Sequence, residues 1–135
     1  MSTQLNNNTM NWKEINERYP KAFLEWIRVY MKDKYIKSAV VGNFAVRLGY
    51  ELSGFSYAHI NRMNEQVYKL PYYFDTLGIV ISFSFNDDDM DYSCRITDTK
   101  RFRNFHMKPS PNRLSATIAG AEKAFEIREA QLNTI

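Results

Sequence analysis

Ile79-Val80-Ile81-Ser82-Phe83-Ser84-Phe85 is the run from which the rest of the chain can be placed. Ile79, Ile81, Phe83 and Phe85 alternate with smaller and more polar neighbours, which is the period-two pattern of a strand with one covered face. Branched and aromatic side chains favour the same pleated conformation. Asn86-Asp87-Asp88-Asp89 follows and reads as a turn, since Asn and Asp tolerate the tight backbone a turn needs. Beyond it Met90, Tyr92, Cys94 and Ile96 share one face of a second strand. Asp98-Thr99-Lys100 then turns into a third, roughly Arg101 to Met107. Connections this short allow only antiparallel pairing, so the three strands form a meander.

Helices are expected on either side of the sheet. Downstream, Lys108-Pro109-Ser110-Pro111 breaks the third strand, and Ser110 with Pro111 reads as the start of a last helix. Leu114, Ile118, Ala121, Phe125, Arg128 and Leu132, with Ala124, trace its inner stripe, while Glu122, Glu126 and Glu129 point elsewhere. Upstream, Tyr72, Tyr73, Phe74 and Leu77 read as a helical turn or two, with Gly78 as a left-handed stop. Ile60, Met63, Val67 and Leu70 favour a helix over Tyr57 to Leu70. Ala39 to Leu52 supports both periods: Phe44, Val46, Leu48, Tyr50 and Leu52 alternate, yet Val40, Phe44, Leu48 and Leu52 recur every fourth residue. Near the start, Asn11 with Glu14 has the form of a helix cap. Pro20 suits the first turn of a second helix, whose apolar face is Ala22, Phe23, Trp26, Ile27 and Tyr30.

Helices, then a meander, then a long helix predict a two-layer α+β domain. Residues 11–135 form it, behind a polar, Asn-rich extension, residues 1–10, expected to be disordered. A chain of 135 residues suits one domain, and its 44% hydrophobic and 24% charged fractions are ordinary for a globular protein. Cys94 is the only cysteine, which excludes an intrachain disulfide, and two histidines beside it are too few for a Cys/His zinc site. The first residues lack the basic and apolar regions of a secretory signal, and no apolar run approaches the length of a membrane span. A cytoplasmic location without membrane contact is the expectation, with no cofactor and no metal.

Three stretches carry a resemblance. Met10-Asn11-Trp12-Lys13-Glu14-Ile15-Asn16-Glu17-Arg18-Tyr19-Pro20-Lys21-Ala22-Phe23 resembles the opening of small uncharacterised proteins encoded by phages and mobile elements. Tyr73-Phe74-Asp75-Thr76-Leu77-Gly78-Ile79 and Ala121-Glu122-Lys123-Ala124-Phe125-Glu126-Ile127 fit the same pattern, while the middle of the chain does not. The resemblance implies a phage-type accessory protein with no known activity, and it transfers no site residue.

Two segments of opposite charge are the candidate sites. Lys100, Arg101, Arg103, Lys108 and Arg113 lie in a stretch without acids, and Phe102 and Phe105 interleave with them. On a strand Arg101, Arg103 and Phe105 share a face, a set able to meet phosphates and stack on a base, or to serve a protein partner. The competing reading is an edge strand whose cations deter pairing with other sheets. Asp87, Asp88 and Asp89 lack the spacing and glycine of a calcium loop, so they read as a solvated turn or as a surface for a basic partner. Tyr68, Tyr72, Tyr73 and Phe74 suit either a docking patch or the core, the aromatic fraction being 15%. His59 and His106 are the residues fit for proton transfer near neutral pH, but no catalytic motif surrounds them. The expectation is a protein-binding accessory protein rather than an enzyme, self-association included, with nucleic-acid binding through Lys100–Arg113 as the alternative.

Overall fold

The computed structural model describes residues 10–34 and 64–134. The undecided stretch 39–52, His59 and residues 1–9 lie outside them. Two short helices open the domain, α1 (Trp12–Arg18) and α2 (Pro20–Lys34). Asn11 caps α1, its side-chain oxygen accepting the Glu14 N–H at 3.1 Å, and Pro20 stands at the first position of α2 as its sequence requires. A single 3₁₀ turn (Val67–Lys69) leads into α3 (Leu70–Asp75), and Gly78 ends that unit at φ 76, in the left-handed region.

The sheet is an antiparallel meander in the order β1 (Ile79–Asn86), β2 (Asp91–Asp98), β3 (Arg103–His106). Its register pairs Ile81 with Ile96, Phe83 with Cys94 and Ile96 with Phe105, so these residues of all three strands fall on one face. The long helix α4 (Arg113–Asn133) packs on that face. It comes close because Gly120 has no side chain: a Cβ there would lie 2.7 Å from Cys94 Sγ and 3.0 Å from Ile81 Cγ2.

Its other side is covered too. α1 and α2 pack against α4, so the helix is buried around much of its circumference, from Ala116 and Ile118 through Ala124, Phe125 and Ile127 to Gln131. Trp12 stacks on Trp26 with ring centroids 4.8 Å apart, and both meet Phe125 in T-shaped contacts at 6.5 and 6.3 Å. Phe74 meets the same ring at 5.0 Å from the α3 side. Edge-to-face pairs of this kind add about 1 kcal/mol each beyond the area they bury. The aromatic core thus joins the first, middle and last parts of the chain, an α+β arrangement as its pattern implied.

Several boundaries differ from the expected ones. The third strand begins at Arg103, so Arg101 and Phe102 belong to the turn and not to a strand face. Met90 likewise belongs to the first turn. Asn112, accepting the Ser115 N–H at 2.8 Å, caps α4, whereas Ser110 extends the sheet by exchanging two 2.8 Å backbone bonds with Tyr92. Met10, grouped by sequence with the tail, is buried in the core. Glu129 is buried as well: its carboxylate accepts the Ala22 N–H at 2.8 Å and so caps α2 from the far end of the chain. A carboxylate at a helix N-terminus satisfies an orphan donor and meets the positive end of the helix dipole.

Candidate binding surface at the hairpin tips

Both hairpins close with four-residue loops. Asn86 pairs with Asp91 across the first, leaving Asp87–Met90, and Asp98 pairs with Arg103 across the second, leaving Thr99–Phe102. The last loop residue is left-handed in each case, Met90 at φ 54 and Phe102 at φ 56. They are the non-glycine residues with positive φ among the described residues. Glycine or asparagine occupies such a position without strain, whereas a bulky side chain there costs about 1 kcal/mol or more. Nor is either side chain held in the core: Phe102 is 90% exposed and Met90 69%.

The second loop is held rigidly. Buried Asp98 accepts the backbone N–H groups of Lys100 at 3.1 Å and Arg101 at 3.4 Å, and Gln131 Nε2 donates to the same oxygen at 3.3 Å. Thr99 ties the loop to the end of the α3 unit, its N–H and hydroxyl donating to the Gly78 carbonyl at 3.0 and 2.7 Å. The anchoring continues through Gln131 to Arg128 (2.9 Å), whose guanidinium makes a bidentate pair with Glu25 at 2.7 and 2.8 Å. The Arg128 hydrogen bond holds the Glu25 carboxyl below the usual carboxylate range. Tyr73 donates to Glu25 at 3.3 Å, and burial together with that carboxylate pushes its phenol well above the ordinary value. Asp98 and Gly78 therefore hold this loop directly, with Gln131 behind Asp98, and it presents Phe102 between the exposed cations Lys100, Arg101 and Arg103.

The fold divides the residues singled out by sequence. Lys100, Arg101 and Arg103 stand together at this tip. Phe105 lies half-buried against the core, with Lys123 Nζ 4.4 Å from its ring centroid, and presents no stacking face beside Arg101. Lys108 and Arg113 lie away from this tip, Lys108 between the Cys94 and Tyr92 levels of β2 and Arg113 with its guanidinium over Phe83 at 5.3 Å. Asp87, Asp88 and Asp89 are exposed on the first loop, so the two charged segments lie at opposite ends of β2. Tyr68 and Tyr72 are exposed, but Tyr73 is engaged with Glu25 and Phe74 is core. Sequence patterning took Phe102 only as a residue interleaved with the cations and passed over Met90 and Phe85 as site residues, because alternation assigns residues to strand faces and does not count loop closure.

Other concavities offer less. The outer sheet face holds a depression of about 300 Å³ lined by Ser82, Ser84, Ser93, Arg95 and His106. A groove of about 280 Å³ between α1 and α4 gathers Glu14, Glu122 and Glu126, yet Arg18 pairs with Glu14 at 3.6 Å and Lys123 with Glu126 at 3.3 Å. Burial, then the nearby Glu14, pushes the Glu122 carboxyl up. Cys94 is buried on the inner face, its thiol pushed up to about 11 by desolvation, which makes it a poor nucleophile. Among the described residues no group of three His, Cys, Asp or Glu is placed to hold a metal ion, and no helix is long and apolar enough to cross a membrane. Comparison with protein-family models, curated proteins and solved structures finds no match to the chain.

Proposed function

We propose that the protein is a binding module of the phage-type accessory kind, and that it docks a protein partner through the basic tip Lys100–Arg103. One observation carries this reading: a large aromatic side chain is held in a strained backbone conformation, in solvent, on a loop braced through Asp98, Gly78 and Gln131. Strain of about 1–3 kcal/mol persists at a surface only where the surrounding structure enforces it, and such positions concentrate at ligand contacts. A fixed aromatic anchor costs little entropy when it enters a pocket, and the flanking cations would select a pocket with an acidic rim.

Nucleic acid draws less support from the same geometry. Lys108 and Arg113 lie away from the tip, so the five cations do not form one track along a backbone. Fluorescence anisotropy with labelled acidic peptides bearing Leu or Phe, and with a labelled single-stranded oligonucleotide, separates the two. Peptide binding should be lost in Phe102→Asn and in the triple Lys100→Gln, Arg101→Gln, Arg103→Gln variant. Binding to the oligonucleotide alone, or peptide binding indifferent to these changes, would overturn the reading.

A further inference from the structure

We infer that the partner of the basic tip is the acidic tip of a second copy of this chain. The inference rests on the docking role proposed above and specifies its occupant. The acidic hairpin offers more than charge. Phe85 is 45% exposed and packs on Tyr92 with ring centroids 5.1 Å apart, and Met90, 69% exposed, closes the loop that these two strands carry from its left-handed position. Cross-strand bonds from Asn86 Nδ2 to Asp91 (2.7 Å) and Ser93 (2.9 Å) brace the base of this loop, as the Asp98 bonds brace the other. One end of the molecule therefore carries an aromatic ring among three cations. The other carries the exposed apolar side chains Phe85 and Met90, the latter soft enough to mould around a ring, with three carboxylates on the same loop.

Neither tip can satisfy the other within one molecule. β2 separates them by eight residues, roughly 23 Å at about 3.3 Å per residue, well beyond a screening length of about 8–10 Å at physiological salt. Between copies the same complementarity can close, with Phe102 of one copy on Phe85 and Met90 of the next. Lys108 and Arg113 do not oppose this, because they stand at the base of the acidic hairpin, near Tyr92 and Phe83, and not at its tip. Two loop tips bury less than the roughly 800 Å² per partner of a stable complex, so the association should be weak, concentration-dependent and salt-sensitive.

Sedimentation velocity at low salt over a wide concentration range tests this with the full chain. Wild type should form larger species that dissociate as salt is raised. The variant Lys100→Gln, Arg101→Gln, Arg103→Gln and the variant Asp87→Asn, Asp88→Asn, Asp89→Asn should each remain monomeric alone. Mixed in equal amounts they should recover a hetero-pair, since each retains the tip the other lacks. A wild type that stays monomeric, or variants that fail to pair when mixed, would overturn the inference. If binding of acidic peptides still depends on Phe102 while wild type stays monomeric, docking by the tip stands and only the identity of its partner is wrong.

Discussion

Phe125 and Phe102 are the same kind of side chain used in opposite ways. Phe125 is fully buried and meets Trp12, Trp26 and Phe74 edge to face, whereas Phe102 touches little of its own chain and faces water. The first sits where a regular helix places it, while the second depends on a strained loop held by hydrogen bonds. A high aromatic content therefore has two sources here, and only the geometry of the backbone separates rings that hold the fold from rings offered to a partner.

Truncation should show the difference first. Phe125→Ala should lower unfolding stability by about 3–5 kcal/mol, read by denaturant titration, because it empties the centre of the aromatic cluster. Gly120→Ala should cost about 1–3 kcal/mol, since the added methyl meets Cys94 and Ile81 and the helix must move off the sheet. The Glu25–Arg128 pair is part-buried, between the limits for exposed and buried pairs, so Glu25→Gln should cost about 2 kcal/mol. Its pH dependence has a definite sign. Folded Glu25 holds its proton less tightly than the unfolded chain does, so its contribution is present above the ordinary carboxylate range and fades as the solution is acidified. The loss in Glu25→Gln should therefore shrink in denaturant titrations at acid pH.

Glu122 has the opposite sign. Its folded carboxyl keeps its proton to higher pH than the unfolded chain, so ionisation costs stability as pH rises through the folded value, and the cost is absent below about pH 4. Glu122→Gln should melt slightly higher than wild type at neutral pH, with the advantage gone at about pH 4. Phe102→Asn should have the smallest effect on stability, within about 1 kcal/mol and in the stabilising direction, since asparagine accepts the left-handed backbone. A large destabilisation by Phe102→Asn would erase the contrast with Phe125.

Much of the fold was legible because periodicity reports burial. The alternation from Ile79 to Phe85, the cap at Asn11 and the stripe through Ile118, Ala121 and Phe125 each encode a local rule that the tertiary structure obeys. Glu129 and Asp98 were not legible in that way. Each is buried because a hydrogen-bonding group from a distant segment meets it, Ala22 in one case and Gln131 in the other, and no pattern along the chain records that meeting. At the candidate site the charges were visible in sequence but their grouping was not. A meander sends successive turns to opposite ends, which divides Lys100–Arg103 from Lys108 and Arg113, and sets Asp87–Asp89 apart from the cations that follow it in sequence.

The Glu129 cap has a consequence for the order in which this protein acquires its structure. Ribosomes make residues 20–34 well before residue 129, so while the nascent chain is growing the first turn of α2 lacks the carboxylate that closes it. Only α2 waits for a residue made more than a hundred positions later, since α1 carries its own cap in Asn11. That cap can close only after α4 has left the exit tunnel.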